Sequence, residues 1–221
     1  LAFRLIGEWQ DQNYWRNFGV HRESLVAPSL AWLGEDTQVV LAYEHREFLT
    51  PFDRGTVIDP RTNHPLDIPA TRRLDEPFNN MEGRSDLYRF EADHDLNDDW
   101  KAHFGYSWNR ETYDASQVRV TKVNSDGTLT RKMDGTKGAI TTDRFSTFSL
   151  QGKVQAAGMQ HDLVFGVDDE YRKIYRAELI RQDSQSTFNY ENPVYGNEVA
   201  GTTVSASDSN QTDLQIGRAH V

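Results

Sequence analysis

Asp93-His94-Asp95 has the residue types of a metal site, two carboxylates around an imidazole. The flanking residues alternate, with Tyr88, Phe90, Ala92 and Leu96 set against Arg89, Glu91, Asp93 and Asp95. Successive side chains on a strand point to opposite faces, so His94 is directed away from both aspartates and the trio cannot share one ion. Asp168 to Glu170 is divided in the same way. Nucleophilic catalysis needs a base within hydrogen-bond reach of a serine. His103 lies on a polar face near a tight turn and His45 shares the apolar parity of Tyr43, so neither meets that test. No glycine-rich phosphate motif is present. The stretch EFLTPFDRGTVID (47–59) instead ends an alternating run in two aromatics, Phe48 and Phe52, a proline and Asp53-Arg54-Gly55. Aromatic faces and guanidinium groups hold a ligand without covalent chemistry. No enzyme and no resident cofactor are expected.

Bulk properties narrow the class. The 221 residues carry a net charge of -10 and a pI near 5.1, which argues against nucleic acid as a partner. Aromatics make up 11% of the chain, too many for an acidic disordered segment. There is no cysteine, which excludes disulfides and thiolate metal sites. Mean hydropathy is -0.74, and no stretch approaches the roughly 18 apolar residues of a membrane helix. A transmembrane barrel strand shows only one apolar face, so that leaves barrels open.

Period-2 alternation recurs along the chain. Leu1, Phe3, Leu5 and Trp9 share one face; Leu30 and Trp32 form a second set; Val39, Leu41 and Tyr43 a third. After the segment at 88–96 come Trp100, Ala102, Phe104, Tyr106 and Trp108, then Phe148, Leu150 and Val154, then Leu163, Phe165 and Val167. The start of an eighth strand lies near Thr212–Gln215. Pro28 fits poorly, because it cannot donate to a ladder and calls for a bulge or a strand end. Gly34–Thr37, Asn97–Asp99 and Ala157–Gln160 read as tight turns. A turn at 97–99 sets Asp95 opposite Lys101, Asp93 opposite His103, Phe90 opposite Tyr106 and Tyr88 opposite Trp108. A turn at 34–37 sets Trp32 beside Val39 and Leu30 beside Leu41. The alternate connections read as long loops: 11–23, 49–84, 113–141 and the stretch after Tyr175. Asp-Gly pairs in NSDGTL and MDGTKG suggest hairpins inside the third.

Alternation does not say which face is inside. A soluble antiparallel β-barrel or sandwich that binds ligand packs the apolar face as its core. An outer-membrane barrel turns that face to lipid and lines its interior with the polar one. Three features favour the membrane barrel. Trp9, Trp32, Trp100, Trp108, Tyr88 and Tyr106 sit toward strand ends like an aromatic girdle. The strands are long enough for a tilted crossing of about 9–11 residues. Short turns and long loops alternate strictly, which puts all the short turns at one end.

The runs FLTPFDRGTV, IPATRRLDEPFN, SDLYRFEADHDLNDDWKAHFGYSWNRETYDA and VFGVDDEY resemble the early barrel strands of TonB-dependent siderophore receptors, closest to the ferrichrome and ferrioxamine branch. The resemblance covers most of residues 1–215. It implies an all-β fold, an antiparallel meander of seven to eight strands cut from an outer-membrane barrel of about 22 strands. It also implies a fragment without the plug domain. The expected partners are a ferric hydroxamate-type siderophore, the receptor's own plug, the TonB complex acting through that plug, and outer-membrane lipid of a Gram-negative cell. Iron arrives with the siderophore, and the protein supplies no ligand to it. Aligned on GTV, Phe48, Thr50 and Phe52 fall at wall positions that hold aromatics in the ferrichrome receptor; Thr50 departs from that pattern. Phe48 and Arg46 belong to the inward set, where an aromatic near the outer rim meets ligand or plug. Arg54, Arg72 and Arg73 either attract an anionic ferric complex or pair with Asp53, Asp75 and Glu76. Residues 216–221, IGRAHV, match a translated sequencing adapter and are set aside as an artefact.

Overall fold

The computed structural model describes residues 1–184, 186–201 and 210–220. Its strands are β1 (Ala2–Asn13), β2 (Val20–Leu33), β3 (Thr37–Pro51), β4 (Ile58–Asp59), β5 (His64–Pro65), β6 (Asn80–Asn97), β7 (Trp100–Val123), β8 (Thr128–Ala156), β9 (Met159–Asp183), β10 (Phe188–Asn189) and β11 (Asn210–His220). Eight of them form one antiparallel meander in the order β1-β2-β3-β6-β7-β8-β9-β11. β10 pairs with the far end of β8, and β4–β5 is a separate ribbon. β11 runs on through Ile216–His220, whose backbone pairs with Glu170–Gly166.

Register follows the alternation. Leu30 faces Leu41 and Trp32 faces Val39. Asp95 faces Lys101, Asp93 faces His103, Phe90 faces Tyr106 and Tyr88 faces Trp108. Polar pairs occupy one side, at 3.3 Å for Lys101–Asp95 and 3.0 Å for His103–Asp93. Rings occupy the other, with Tyr88 and Trp108 centroids 5.6 Å apart. The last turn is tighter than expected, only Ala157-Gly158. Both have positive φ, 53° and 76°, the pair of conformations that a two-residue type I′ hairpin requires.

Four expectations fail, two of them for one reason. The connection read as 11–23 contains only residues 14–19, and most of 113–141 is strand, with β7 and β8 joined by Asn124–Gly127. Polar residues on both faces hide a strand where the alternation stops, although its hydrogen-bond ladder continues. The NSDGTL hairpin is present, whereas Asp134-Gly135 of MDGTKG lies inside β8, beside an irregularity between Tyr113 and Ala115. Pro28 causes neither a bulge nor a strand end. It sits opposite Leu5 in an unbroken register, and the β2–β3 pairing keeps the same register on both sides of it.

The alternating sheet has no second layer over its apolar face among the described residues. Phe3 is 86% exposed and Phe148 45%. A soluble sandwich buries that face, so the soluble alternative is not favoured. The buried apolar core lies elsewhere, where the long connections meet: Leu66, Leu74, Val123, Leu129, Phe188 and Tyr190. Full burial of each such side chain contributes roughly 1.5–3 kcal/mol before entropy is counted. Among the described residues the strands therefore carry an open apolar face, and a separate packed core lies beyond them.

Candidate functional site

Side chains of one parity on β3 (Glu44, Arg46, Phe48 and Thr50) line the polar face. Glu23, Phe48, Gly83 and Tyr113 form one row across β2, β3, β6 and β7. Gly83 has no side chain, and a β-carbon there would lie 3.0 Å from the Phe48 ring. Phe48 therefore lies against its own wall and is only 8% exposed. The Arg46 guanidinium stands 5.2 Å from the ring centroid and donates to Glu23 at 2.8 Å. Thr50 lies opposite His21, with Oγ1 3.4 Å from Nδ1.

Beyond the strand end, the Phe52 amide donates to the Asn79 carbonyl and extends the β3–β6 pairing by one step. The Arg54 guanidinium stacks on Phe52 at 5.3 Å, and its Nε donates to Gln117 at 2.6 Å. Arg54 is exposed and lines a cleft of ≈ 250 Å³ with Asp53, Val57, Leu74, Asp75 and Arg119. Of the four expected residues, Phe52 and Arg54 thus form one stacked, accessible pair, while Phe48 and Thr50 are engaged by neighbours in the wall. A larger cleft of ≈ 730 Å³ opens on the opposite parity, at Arg22, Glu47, Glu82, Arg84 and Asp114. Phe48, Gly83 and Tyr113 of the polar-wall row also border it.

Only one of the three expected arginine pairings forms. Arg73, with a fully buried side chain, donates to Asp75 at 2.6 Å. Asp53 is held by Arg16 at 3.2 Å, so Arg54 turns to Gln117 instead. Arg72 donates to the carbonyls of Tyr190 and Glu191. Glu76 pairs at 2.8 Å with Arg131, both side chains being 0% exposed. Arg16, Gln117 and Arg131 escaped notice because they lie in stretches that looked like loops. Recognising 128–141 as strand would have placed Arg131 opposite Val120.

Burial pushes the Asp75 carboxyl up to about 6, against the opposing pull of Arg73. The groups around it are Arg73, Asn79 and, more distantly, Asp53. Because this carboxyl holds its proton more tightly when folded, it favours the folded loops at low pH, and that contribution is lost as pH rises through about 6. The displacement is worth up to about a hundredfold in the opening equilibrium. Amides of residues 72–79 in the intact protein are expected to exchange more slowly at pH 5 than at pH 7.5 after correction for intrinsic rates. Asp75→Asn should remove the difference; a difference that persists would assign it to another group.

No group of three or more His, Asp or Glu side chains among the described residues is placed to hold a metal. The site's chemistry is stacking, charge and hydrogen bonding. No curated protein matches the sequence. Solved structures show the same fold at low identity. The ferric-catecholate import receptor Fiu from E. coli K12, in its closed form, has 16% identity and a TM-score of 0.74, over 96% of this chain and 33% of that one. BauA, the ferric preacinetobactin receptor from Acinetobacter baumannii, has 14% identity and a TM-score of 0.75, over 97% and 32%. Pseudomonas aeruginosa FpvA bound to a pyoverdine–iron complex has 13% identity and a TM-score of 0.75, over 98% and 29%. The chain spans about a third of the length of the first of these receptors. The model of the TonB dependent receptor-like β-barrel matches residues 24–216, most of the sequence, and the chain belongs to that family.

Proposed function

We propose that the chain is part of the barrel wall of a Gram-negative outer-membrane receptor that captures ferric siderophores and imports them with energy delivered through TonB. In this reading the polar face, with Arg46, Arg89, Glu91 and Asp93, packs against the receptor's plug domain, and the apolar face meets lipid. The observation that carries it, given the family, is the accessible Phe52–Arg54 stack beside a cleft at the outer end of the polar wall. A ring and a guanidinium suit a compact, chelated ferric complex whose iron is already fully ligated. The hydroxamate class rests on the order FDRGTV, IP, RR and DDW in the sequence. The three receptors above are described with catecholate, preacinetobactin and pyoverdine ligands, so siderophore choice is a separate test.

The experiment is radio-iron uptake by cells expressing the intact receptor, supplied with a ferric hydroxamate or a ferric catecholate. Phe52→Ala and Arg54→Ala are each expected to raise the half-saturating concentration about tenfold at unchanged receptor abundance. Phe48→Ala should change it less, because the ring is turned into the wall. Uptake of neither complex, or of both with unaltered half-saturation in all three variants, overturns the proposal.

A further inference from the structure

Three connections meet around two buried ion pairs. Glu76 of the 52–79 connection divides its carboxylate: Oε1 accepts from Arg131 of β8 at 2.8 Å, and Oε2 accepts from the Gly196 amide at 2.7 Å. Arg131 donates further to the Leu74 carbonyl and to Ser186, and lies 4.2 Å over the Phe188 ring. Three residues earlier, Arg73 donates to the Phe18 carbonyl, and its own carbonyl accepts from the Tyr195 hydroxyl at 2.8 Å. Asn17 receives the Arg73 amide and donates its own amide to the Thr71 carbonyl. Arg72 reaches the carbonyls of Tyr190 and Glu191. Apolar packing follows the same seams: Leu66 and Leu74 meet Phe188 and Tyr190, and Tyr195 packs on Phe18 and Phe188.

We infer that residues 14–19, 52–79 and 186–201 form one cap that opens and closes as a unit, latched by Glu76 and Arg131. Separate loops would have separate opening free energies, because each would break only its own contacts. Here, lifting 52–79 alone strands the Gly196 amide and the Tyr195 hydroxyl and leaves the Arg131 charge unpaired beneath Phe188 and Ser186, whereas lifting 186–201 as well opens that charge to water. An orphaned buried charge costs far more than a surface pair yields. The low-energy opening is therefore the one that carries 186–201 along. Phe52 and Arg54 ride on this cap, so Glu76 is a positioning residue for capture, a consequence that rests on the function proposed above.

Native-state hydrogen exchange on the intact receptor tests the coupling without altering it. The amides of Leu66, bonded to Val57, of Tyr190, bonded to Gly127, and of Gly196 are expected to share one opening with one denaturant dependence. Tyr190 and Gly196 exchanging through an independent, easier opening would overturn the inference. Limited proteolysis tests the latch. In Glu76→Leu and in Arg131→Met, cleavage in the exposed 60–64 turn and near Val199 should rise together, by about tenfold or more. The Glu76→Leu/Arg131→Met double variant should recover most of the protection, since an apolar pair replaces the ionic one. Cleavage that rises at only one position, or at neither, overturns it. No siderophore enters these measurements, so their failure is distinct from a failure of radio-iron uptake.

Discussion

Gly83→Ala is expected to deplete the folded receptor, by about 3 kcal/mol or more. The added carbon would fall 2.7 Å from Tyr113 Cβ and 3.0 Å from Phe48, and inside contact distance of the Thr112 carbonyl oxygen. The Phe48 ring can swing away, but a carbonyl in the β6–β7 ladder cannot move without breaking its own pairing. Phe48→Ala in the same chain should therefore restore little. Gly7→Ala is the control, because nothing lies within 4 Å of a β-carbon there. Heat-modifiable migration of the intact receptor, which separates folded from unfolded barrel, reports the outcome. If Gly83→Ala and Gly7→Ala migrate alike, the close approach at Gly83 is not what sets the β6–β7 spacing.

A second large effect divides two adjacent residues. Phe104→Arg places a cation on the apolar face amid Ala92 and Phe148, where burial in hydrocarbon costs about 2–4 kcal/mol. His103→Arg, one residue earlier, points to the polar wall opposite Asp93 and Ser149 and should be nearly neutral. Folding titrations of the intact receptor into lipid vesicles measure both. Equal losses would mean that the two faces are wrongly assigned.

The alternating part of the fold was legible because one face of each of its strands is apolar. Leu41, Phe90, Tyr106 and their row are apolar, their neighbours need not be, and a single turn then fixes every pair down the hairpin. That pattern stops within β7. From Arg110 to Val123 the ladder continues with polar residues on both sides, and the sequence there looks like loop. The cap was illegible for a related reason. Its core joins Leu66 and Leu74 to Phe188 and Tyr190, more than a hundred residues apart, and no local period records such a meeting. Of the candidate site, the position of Phe52 and Arg54 past a strand end could be read in advance. The packing of Phe48 on Gly83 could not, because it depends on what β6 lacks.

The extra length of β7 and β8 has a mechanical meaning. At about 3.3 Å per residue, the 14 residues from Arg110 to Val123 add roughly 45 Å of strand beyond Trp108 and Asn109. That arm is braced from both sides, because β6 pairs with β7 as far as Ser116 and β9 pairs with β8 from Lys132. Arg131 lies opposite Val120 within that arm, so its pair with Glu76 ties the 52–79 connection to a braced strand pair.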